Sequence, residues 1–205
     1  MGLWDLSVRA LLSRTASHDP TPGGGSVSAV TGALGLGLVV MALEISARHK
    51  GAAPELPDLL ARARTLLDRL PPHADADVTA FEGYMAALGL PKGSEAEKVA
   101  RREAIQEAAR SASEAPLASA RDLLGGLILA REAAPLSDKH VVSDVGAGAE
   151  LLLGALRASL LTVDINLGSL PDEEAAGLRA ARQDLQARAE TLHAEVIIQV
   201  RDALK

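Results

Sequence analysis

The chain has 205 residues, the length of one domain. Its 27 acidic residues exceed its 21 basic residues, and the formal net charge of −6 excludes a generally basic nucleic-acid surface, though not a local basic pocket. Cysteine is absent, which excludes disulfides and thiolate chemistry. We expect a cytoplasmic protein without nucleic-acid or membrane partners. The single Trp, Tyr and Phe leave aliphatic side chains to fill the core, which favours closely packed helices over a β-sandwich.

Residues 20–43 carry no charged side chain, and that length could span a bilayer. The segment opens with prolines and glycines, hydroxyl side chains follow, and no basic flank precedes it. We therefore predict a buried helix here. No signal peptide is predicted, because Asp5 and Arg9 interrupt the first turns.

Apolar side chains recur at helical spacing along most of the chain, and Pro and Gly separate the periodic segments. Ser26 is placed to cap the second helix, Ser143 or Asp144 to cap the seventh, and Pro116 to follow the end of the fifth. No region alternates strictly, as a half-buried strand does. We predict a single all-α domain over residues 1–205, with about seven or eight helices. The predicted helices cover residues 3–13, 26–48, 59–70, 74–88, 95–114, 117–133, 143–167 and 172–204.

Small residues recur every fourth position on the second predicted helix, at Gly25, Ala29, Ala33 and Gly37. Such a row lets another helix approach the backbone closely, in the core or at a subunit interface. Together with the long apolar helix over residues 145–167, it offers more apolar surface than one thin domain easily buries. We therefore expect a dimer.

A glycine-rich loop precedes the second predicted helix. Gly23, Gly24, Gly25 and Ser26 could present backbone amides to a phosphate at the helix N-terminus. The loop is not a Walker motif, because no Lys-Ser or Lys-Thr follows, and it is not a Rossmann turn, because no strand precedes it. A flexible loop with a helix cap is the alternative interpretation.

Two carboxylates lie on different faces of the fourth predicted helix. Asp77 lies on an apolar stripe, three residues after Ala74 and four before Phe81. Apolar surroundings tune an unpaired carboxylate for general acid or base catalysis. A core-edge Asp bonded to a neighbouring helix terminus explains the position equally well. Asp75 aligns instead with Thr79, on a face predicted to be solvated.

Three cationic side chains, Lys92, Arg101 and Arg102, could bind an anionic ligand. Arg101 also follows Glu97 by four residues, so an ordinary ion pair within the helix explains it equally well.

A row of small and polar residues on the seventh predicted helix ends at Thr162 and Asn166, and it predicts close helix packing or the lining of a cleft. Asp144 lies near the same row but about 33 Å from Asn166, so the two cannot touch one reacting carbon unless a second helix or subunit intervenes. The five histidines form no ligand pair, so no metal site is predicted.

Five motifs in register carry a resemblance to a known family. The chain resembles the cyclodeaminase/cyclohydrolase family of folate enzymes, which includes the C-terminal half of formiminotransferase-cyclodeaminase and stand-alone bacterial methenyltetrahydrofolate cyclohydrolases. The similarity extends from about residue 5 to residue 200. The motifs are Pro-Thr-Pro-Gly-Gly-Gly-Ser at 20–26, Asp-Val-Thr-Ala-Phe at 77–81, Leu-Pro-Lys at 90–92 with Arg101, Ser-Asp-Val-Gly-Ala-Gly-Ala at 143–149 and Ile-Asn-Leu at 165–167.

The resemblance implies an all-helical homodimer that acts on one-carbon tetrahydrofolates, with no metal or cofactor beyond the folate substrate. In cyclodeamination, N10 attacks the formimino carbon and ammonia leaves; in cyclohydrolysis, water opens the methenyl bridge to formyltetrahydrofolate. Both reactions pass through a tetrahedral carbon and need a group that moves protons. The resemblance assigns that role to Asp77, with Asp75 as the fallback.

The resemblance also implies a set of substrate-binding residues. Lys92 and Arg101 suit the carboxylates of the folate tail. The amides of Gly23, Gly24, Gly25 and Ser26 would approach the ligand, and Ser143, Asp144 and Asn166 complete the set.

The chain departs from the family pattern at two positions. Ser137 and Asp138 stand where the family often has Gly-Asn, and Thr162 stands where it tends to have Asn. Thr cannot imitate the paired donor and acceptor of an amide. Substrate preference or activity could therefore differ, and a non-catalytic helical dimer that binds a folate-like ligand or a partner protein is the alternative.

Overall fold

The computed structural model describes residues 2–205, which form seven α-helices, three single turns of 3-10 helix and no strand. The prediction of an all-α domain is confirmed. The α-helices are α1 (Val8–Thr15), α2 (Gly24–Ala47), α3 (Leu56–Arg69), α4 (Pro71–Leu88), α5 (Glu95–Ala133), α6 (Val142–Asn166) and α7 (Asp172–Ala203), and the 3-10 turns are Leu3–Asp5, Ala134–Leu136 and Leu167–Ser169.

Two apolar helices, α2 and α6, lie antiparallel at the centre of the fold. The α5 helix packs against α6, α4 covers α2 and α5, α3 packs on α2 and α5, and α7 lies along α5 and α6. The core between them is aliphatic, as the scarcity of aromatic residues predicts. Its largest fully buried side chains are leucines and valines from α2, α3, α5 and α6 together with Leu70.

Glycines allow α2 and α6 to approach closely. A Cβ added at Gly148 would lie 2.6 Å from the Gly35 carbonyl oxygen, so the two backbones are in contact there. One turn earlier on α2, a Cβ on Gly32 would meet Ala155 and overlap Leu123. The predicted small-residue row is thus only partly right: the glycine contacts with α6 are at Gly32 and Gly35, Gly25 lies instead against Asp77 of α4, and a Cβ at Gly37 would meet nothing within 4 Å.

Several predicted helix boundaries are wrong. The first predicted helix, residues 3–13, is a 3-10 turn at Leu3–Asp5 followed by α1, which begins at Val8. The α5 helix continues through Pro116, so the eight predicted segments become seven α-helices. The α2 helix begins at Gly24 with Gly23 as its cap, which places Ser26 inside the first turn. The α6 helix begins at Val142 with Val141 as its cap, so neither Ser143 nor Asp144 caps it. Pro116 fits inside α5 because proline can adopt helical dihedrals, and a side chain described below donates the hydrogen bond that its backbone cannot donate.

By length and composition alone, α2 and the segment Val142–Ser169 could each cross a membrane. Core helices of soluble folds pass the same test. Within the chain, 61% of the most apolar stretch of α2 and 44% of that of the second segment are buried. The prediction that α2 is a buried helix is therefore confirmed, and the two segments are weak evidence for membrane insertion.

Candidate functional site

A cleft of about 560 Å³ lies where the N-terminus of α2 meets α4, α5 and the last two turns of α6. Its volume is in the range of small-molecule sites. Its walls are mostly apolar, and its polar groups come from the loop and first turn of α2, from Asp77 and Tyr84 on α4, and from Thr162 and Asn166 at the end of α6. The lining residues are Pro20, Thr21, Gly23, Gly24, Gly25, Asp77, Ala80, Phe81, Tyr84, Met85, Ala112, Ala158, Leu161, Thr162, Ile165 and Asn166.

Among residues 2–205, Asp77 is the only carboxylate that lines this cleft. Ser26 donates a hydrogen bond from Oγ to Oδ2 of Asp77 at 2.7 Å. The same carboxylate lies directly against Gly25, where an added Cβ would overlap it. The structure confirms that Asp77 is bonded to a neighbouring helix terminus and shows that it also lines the cleft, while its catalytic role stays a prediction.

The N-terminus of α2 provides the electrostatic setting of that carboxylate. The first amides of a helix have no partner within the helix, and the aligned peptide dipoles place a partial positive charge there. The glycine-rich loop was predicted to offer this terminus to a phosphate. In the structure the nearby anion is the chain's own Asp77, while Gly23 and Gly24 remain at the cleft wall.

Several contacts from outside the cleft hold the first turns of α4, which carry Asp77. The carboxylate of Asp122 on α5 is bonded to His73 at 2.9 Å, and its other oxygen to Arg69. These two partners flank the Pro71 start of α4. Asp122 is only 9% exposed and the His73 side chain 16%, so their contact between α5 and the α3–α4 corner is largely buried, whereas the Arg69 side chain is 63% exposed.

Asp75, the fallback catalytic residue, is not in the cleft. Its Oδ1 accepts a hydrogen bond from the Leu3 amide at 2.8 Å, and Trp4 donates from Nε1 to the Pro71 carbonyl at 2.9 Å. Asp75 is half-buried beneath this N-terminal segment, so its predicted solvated face is wrong. The contact places Asp75 in the structural support of α4.

The small and polar row on α6 serves both of the predicted purposes. At its middle, Ser159 packs against α2 and its Oγ lies 2.9 Å from that of buried Ser28. At its end, Thr162 and Asn166 line the cleft. The Nδ2 of Asn166 donates to the carbonyls of Ala112 and Thr162, at 2.9 Å each.

A shallow basic depression lies beside the cleft. Lys92, Lys98, Arg101 and Arg102 line it, together with Ser169. Tyr84 on the cleft wall places its phenol oxygen 3.0 Å from the Ser169 Oγ, so this pair joins the two concavities.

The predicted ion pair between Arg101 and Glu97 is absent among the salt bridges of residues 2–205. Arg101 instead donates from Nε and Nη2 to the Leu88 carbonyl at 3.3 and 3.0 Å, at the end of α4. Glu97 accepts from the amides of Gly93 and Ser94, which lowers its pKa below the usual value for a glutamate.

Ser143 and Asp144 lie at the opposite end of α6 from the cleft, about 33 Å from Asn166 by the helical rise. Asp138, one of the residues that differ from the family pattern, is also at that end. The His140 amide donates to its Oδ1 at 2.8 Å and its own amide donates to Ser46. The His140 bond and the nearby His49 ring hold the pKa of Asp138 below its usual value.

Several lining residues were not singled out as site residues from the sequence. Tyr84 follows Asp77 by seven residues, about two helical turns, so it is on the same helix face as Asp77. Leu161 and Ile165 precede Asn166 by five residues and one residue. The spacing from Asp77 was the available signal for Tyr84. Leu161 and Ile165 gave none, because nothing in the sequence shows that apolar residues on α6 meet α4 across a cleft.

No group of three or more His, Asp or Glu side chains is placed to hold a metal ion within residues 2–205. The polar groups of the cleft are a carboxylate, hydroxyls, an amide and backbone N–H groups. Such a set suits proton transfer and hydrogen bonding to an organic ligand.

Comparison with known proteins identifies relatives over most of the chain. The family model for formiminotransferase-cyclodeaminase matches residues 7–185. Methenyltetrahydrofolate cyclohydrolase from Methylorubrum extorquens is 34% identical over 169 residues, which are 81% of this chain and 81% of that protein. Formimidoyltransferase-cyclodeaminase from Gallus gallus is 32% identical over 174 residues, which are 82% of this chain and 31% of that protein.

A solved structure shows the same fold. The crystal structure of formiminotetrahydrofolate cyclodeaminase from Thermotoga maritima matches with a TM-score of 0.85 at 25% sequence identity, over 98% of both chains. The resemblance predicted from the five motifs is therefore confirmed, and the chain belongs to the formiminotransferase-cyclodeaminase family.

Proposed function

We propose that this protein is a one-carbon folate enzyme, acting as a methenyltetrahydrofolate cyclohydrolase, a formiminotetrahydrofolate cyclodeaminase or both. The names of its relatives support the substrate class. The observation that carries the proposal is the position of Asp77, the one carboxylate of the described residues that faces an apolar cleft of small-molecule size.

Asp77 moves protons in either reaction. In hydrolysis it accepts a proton from the water that attacks the methenyl carbon and delivers it to the ring nitrogen as the carbon–nitrogen bond breaks, while the remaining hydroxyl proton leaves to solvent as the formyl C=O forms. In cyclodeamination the formimino group enters protonated; Asp77 takes the proton from N10 and delivers it to the amino group, which leaves as ammonia as the methenyl cation forms. The Ser26 hydroxyl holds one carboxylate oxygen, which fixes the orientation of the group before substrate arrives.

The apolar walls bind the flat part of the substrate. Phe81 and Met85 on α4 face Leu161 and Ile165 on α6 across the cleft. These four side chains would contact a reduced pterin and exclude water from the reacting carbon. Exclusion of water strengthens the hydrogen bonds made to Asp77.

The anionic folate tail would extend into the basic depression. Lys92 and Arg101 are the residues predicted for this role, and Lys98 and Arg102 add to the positive charge around them. The contact between Tyr84 and Ser169 joins the depression to the cleft, so one extended ligand can occupy both. Charge-assisted contacts to a carboxylate are among the stronger hydrogen bonds.

The activity test compares two substrates. Purified protein is mixed with methenyltetrahydrofolate, and the loss of its near-ultraviolet absorbance reports hydrolysis. With formiminotetrahydrofolate, the appearance of the same absorbance and release of ammonia report cyclodeamination. Turnover of at least one substrate supports the proposal; binding of both without turnover would contradict it and favour the non-catalytic alternative.

We also propose that the protein is a homodimer formed through the outer faces of α2 and α6. Leu34 on α2 is 61% exposed, and Leu161 and Ile165 on α6 are 65% and 80% exposed. Leu161 and Ile165 also line the cleft, so the apolar face reaches the site. Exposed apolar patches of this kind mark interaction surfaces.

Two glycines on this face support a second copy as its occupant. A Cβ added at Gly37 or Gly154 would meet no atom within 4 Å in the chain, so packing inside the chain does not require either glycine. Gly37 lies three residues after Leu34, and Gly154 lies three after half-exposed Leu151, both at helical spacing. Small residues at these positions allow close approach of another pair of helices.

The dimer is tested by sedimentation of two matched variants. Leu34 and Ile198 are each 61% exposed, but Ile198 lies on α7 away from the α2–α6 face. Leu34→Glu is expected to yield a monomer at micromolar concentration, while wild type and Ile198→Glu remain dimeric. A wild-type protein that sediments only as a 21.2 kDa species would contradict the proposal.

A further inference from the structure

One backbone carbonyl group of α5, at the cleft, has no hydrogen-bond donor within its own helix. Pro116 lies inside this helix and has no backbone N–H, so the Ala112 carbonyl four residues earlier lacks its usual donor. Both residues are buried, and Ala112 lines the cleft. A buried carbonyl without a partner is destabilising, so a donor from elsewhere is needed.

Asn166 supplies that donor from the end of α6. Its Nδ2 donates to the Ala112 carbonyl at 2.9 Å and to the Thr162 carbonyl at 2.9 Å. An Asn amide has two N–H donors, so both are occupied. The remaining polar atom of this side chain is Oδ1, which can only accept.

We infer that Pro116 is a positioning residue that reserves the Ala112 carbonyl for Asn166 and thereby leaves Asn166 Oδ1 as a fixed acceptor for the ligand. This assignment rests on the proposed function and names the group recognised: an N–H or amino donor on the reduced pterin ring. A freely rotating amide would present either its donor or its acceptor. Because the two bonds to backbone carbonyls use both N–H groups of Asn166, only its acceptor oxygen is left for the ligand. The site therefore favours a ligand group that carries an N–H over one that carries a carbonyl.

Pro116→Ala tests the inference directly. The restored N–H donates to the Ala112 carbonyl within α5 and releases Asn166. Because proline is unfavourable inside a helix, we expect the Tm to rise. The KM for the folate is expected to rise about 5–10-fold, the scale of one neutral hydrogen bond, with a smaller change in kcat. A proline with a purely structural role would not couple higher stability to weaker binding.

The matched control is Pro57→Ala. Pro57 lies in the first turn of α3, is exposed and is absent from the cleft lining. This variant is expected to leave KM unchanged. A Pro116→Ala protein with wild-type KM would overturn the inference, and so would an equal rise in KM for Pro57→Ala.

A double-mutant cycle separates this inference from the proposed function. Asn166→Leu alone leaves the Ala112 carbonyl unpaired and should lower the Tm; combined with Pro116→Ala, the same substitution should lower it much less. Additive changes in Tm would overturn the link between the two residues. If wild type turns over neither folate, the proposed function and the pterin assignment fail, while the Tm cycle still decides whether Pro116 positions Asn166.

Discussion

Ser26 and Asp77, 51 residues apart in the sequence, are joined by a 2.7 Å hydrogen bond between Oγ and Oδ2. The bond connects the first turn of α2 to the second turn of α4, and the carboxylate lies against the backbone of Gly25. The Ser26 hydroxyl and the absence of a side chain at Gly25 thus together set the position of the Asp77 carboxylate. The glycine-rich motif and the Asp motif form one unit in the fold.

Gly25→Ala is expected to displace this carboxylate. The added methyl group would overlap Asp77, and a misplacement of about 1 Å is expected to lower kcat about 100-fold. Gly83 on α4 supplies a matched control, since a Cβ there meets nothing within 4 Å and the residue is exposed and absent from the cleft lining. Gly83→Ala should raise the Tm slightly through helix propensity and retain turnover. Equal kcat values for the two variants would show that Asp77 does not need its observed position.

Arg101→Ala is expected to weaken binding of the folate tail. The KM should rise about tenfold with a smaller change in kcat, as expected for loss of a contact made equally in the ground and transition states. Arg101 also donates to the Leu88 carbonyl, so the control is a substrate analogue without the glutamate tail. For that analogue, wild type and Arg101→Ala should have similar KM values. An equal rise in KM for both substrates would show that Arg101 supports α4 and does not bind the tail.

Asp138 makes part of the free energy of unfolding dependent on pH in the acid range. The His140 amide lowers the pKa of Asp138 in the folded protein from its ordinary value of 3.8. A group whose pKa is lower when folded contributes stability above its unfolded pKa, and that contribution is lost as the pH falls through the folded pKa. Asp138→Asn keeps an oxygen for the His140 amide but does not titrate.

Urea denaturation at a series of pH values checks this prediction. Between about pH 4 and pH 2, the free energy of unfolding of Asp138→Asn should fall less steeply than that of wild type. Identical slopes would show that Asp138 has no linkage to acid unfolding.

Local patterns predicted the helices well, but not the effects that depend on contacts between distant segments. Periodicity and Pro-Gly breaks were sufficient for the all-α class, and the break at Pro71 lies where the structure has it. The sequence predicts a helix end before Pro116, because the compensating donor, Asn166, is 54 residues from the carbonyl that it satisfies. No local pattern contains that information.

The candidate site shows the same division. The apolar stripe of α4 correctly placed Asp77 on the face that the structure turns toward a cleft. The same helical phase placed Asp75 toward solvent, but the N-terminal segment covers it through the Leu3 amide. Helical phase predicts which face a side chain occupies and cannot predict what packs on that face. The roles of Asp77, Lys92 and Arg101 therefore stay predictions for experiment.

The turnover number of Asp77→Asn tests the central claim most directly. This substitution keeps size and shape but removes the basic carboxylate, so kcat with the preferred folate should fall about 10²–10⁴-fold while the Kd changes by less than about threefold. Asp75→Asn is the matched control, because its side-chain oxygen still accepts from the Leu3 amide and turnover should be retained. Wild-type turnover by Asp77→Asn, together with loss of activity in Asp75→Asn, would contradict the account and assign proton transfer to the other carboxylate.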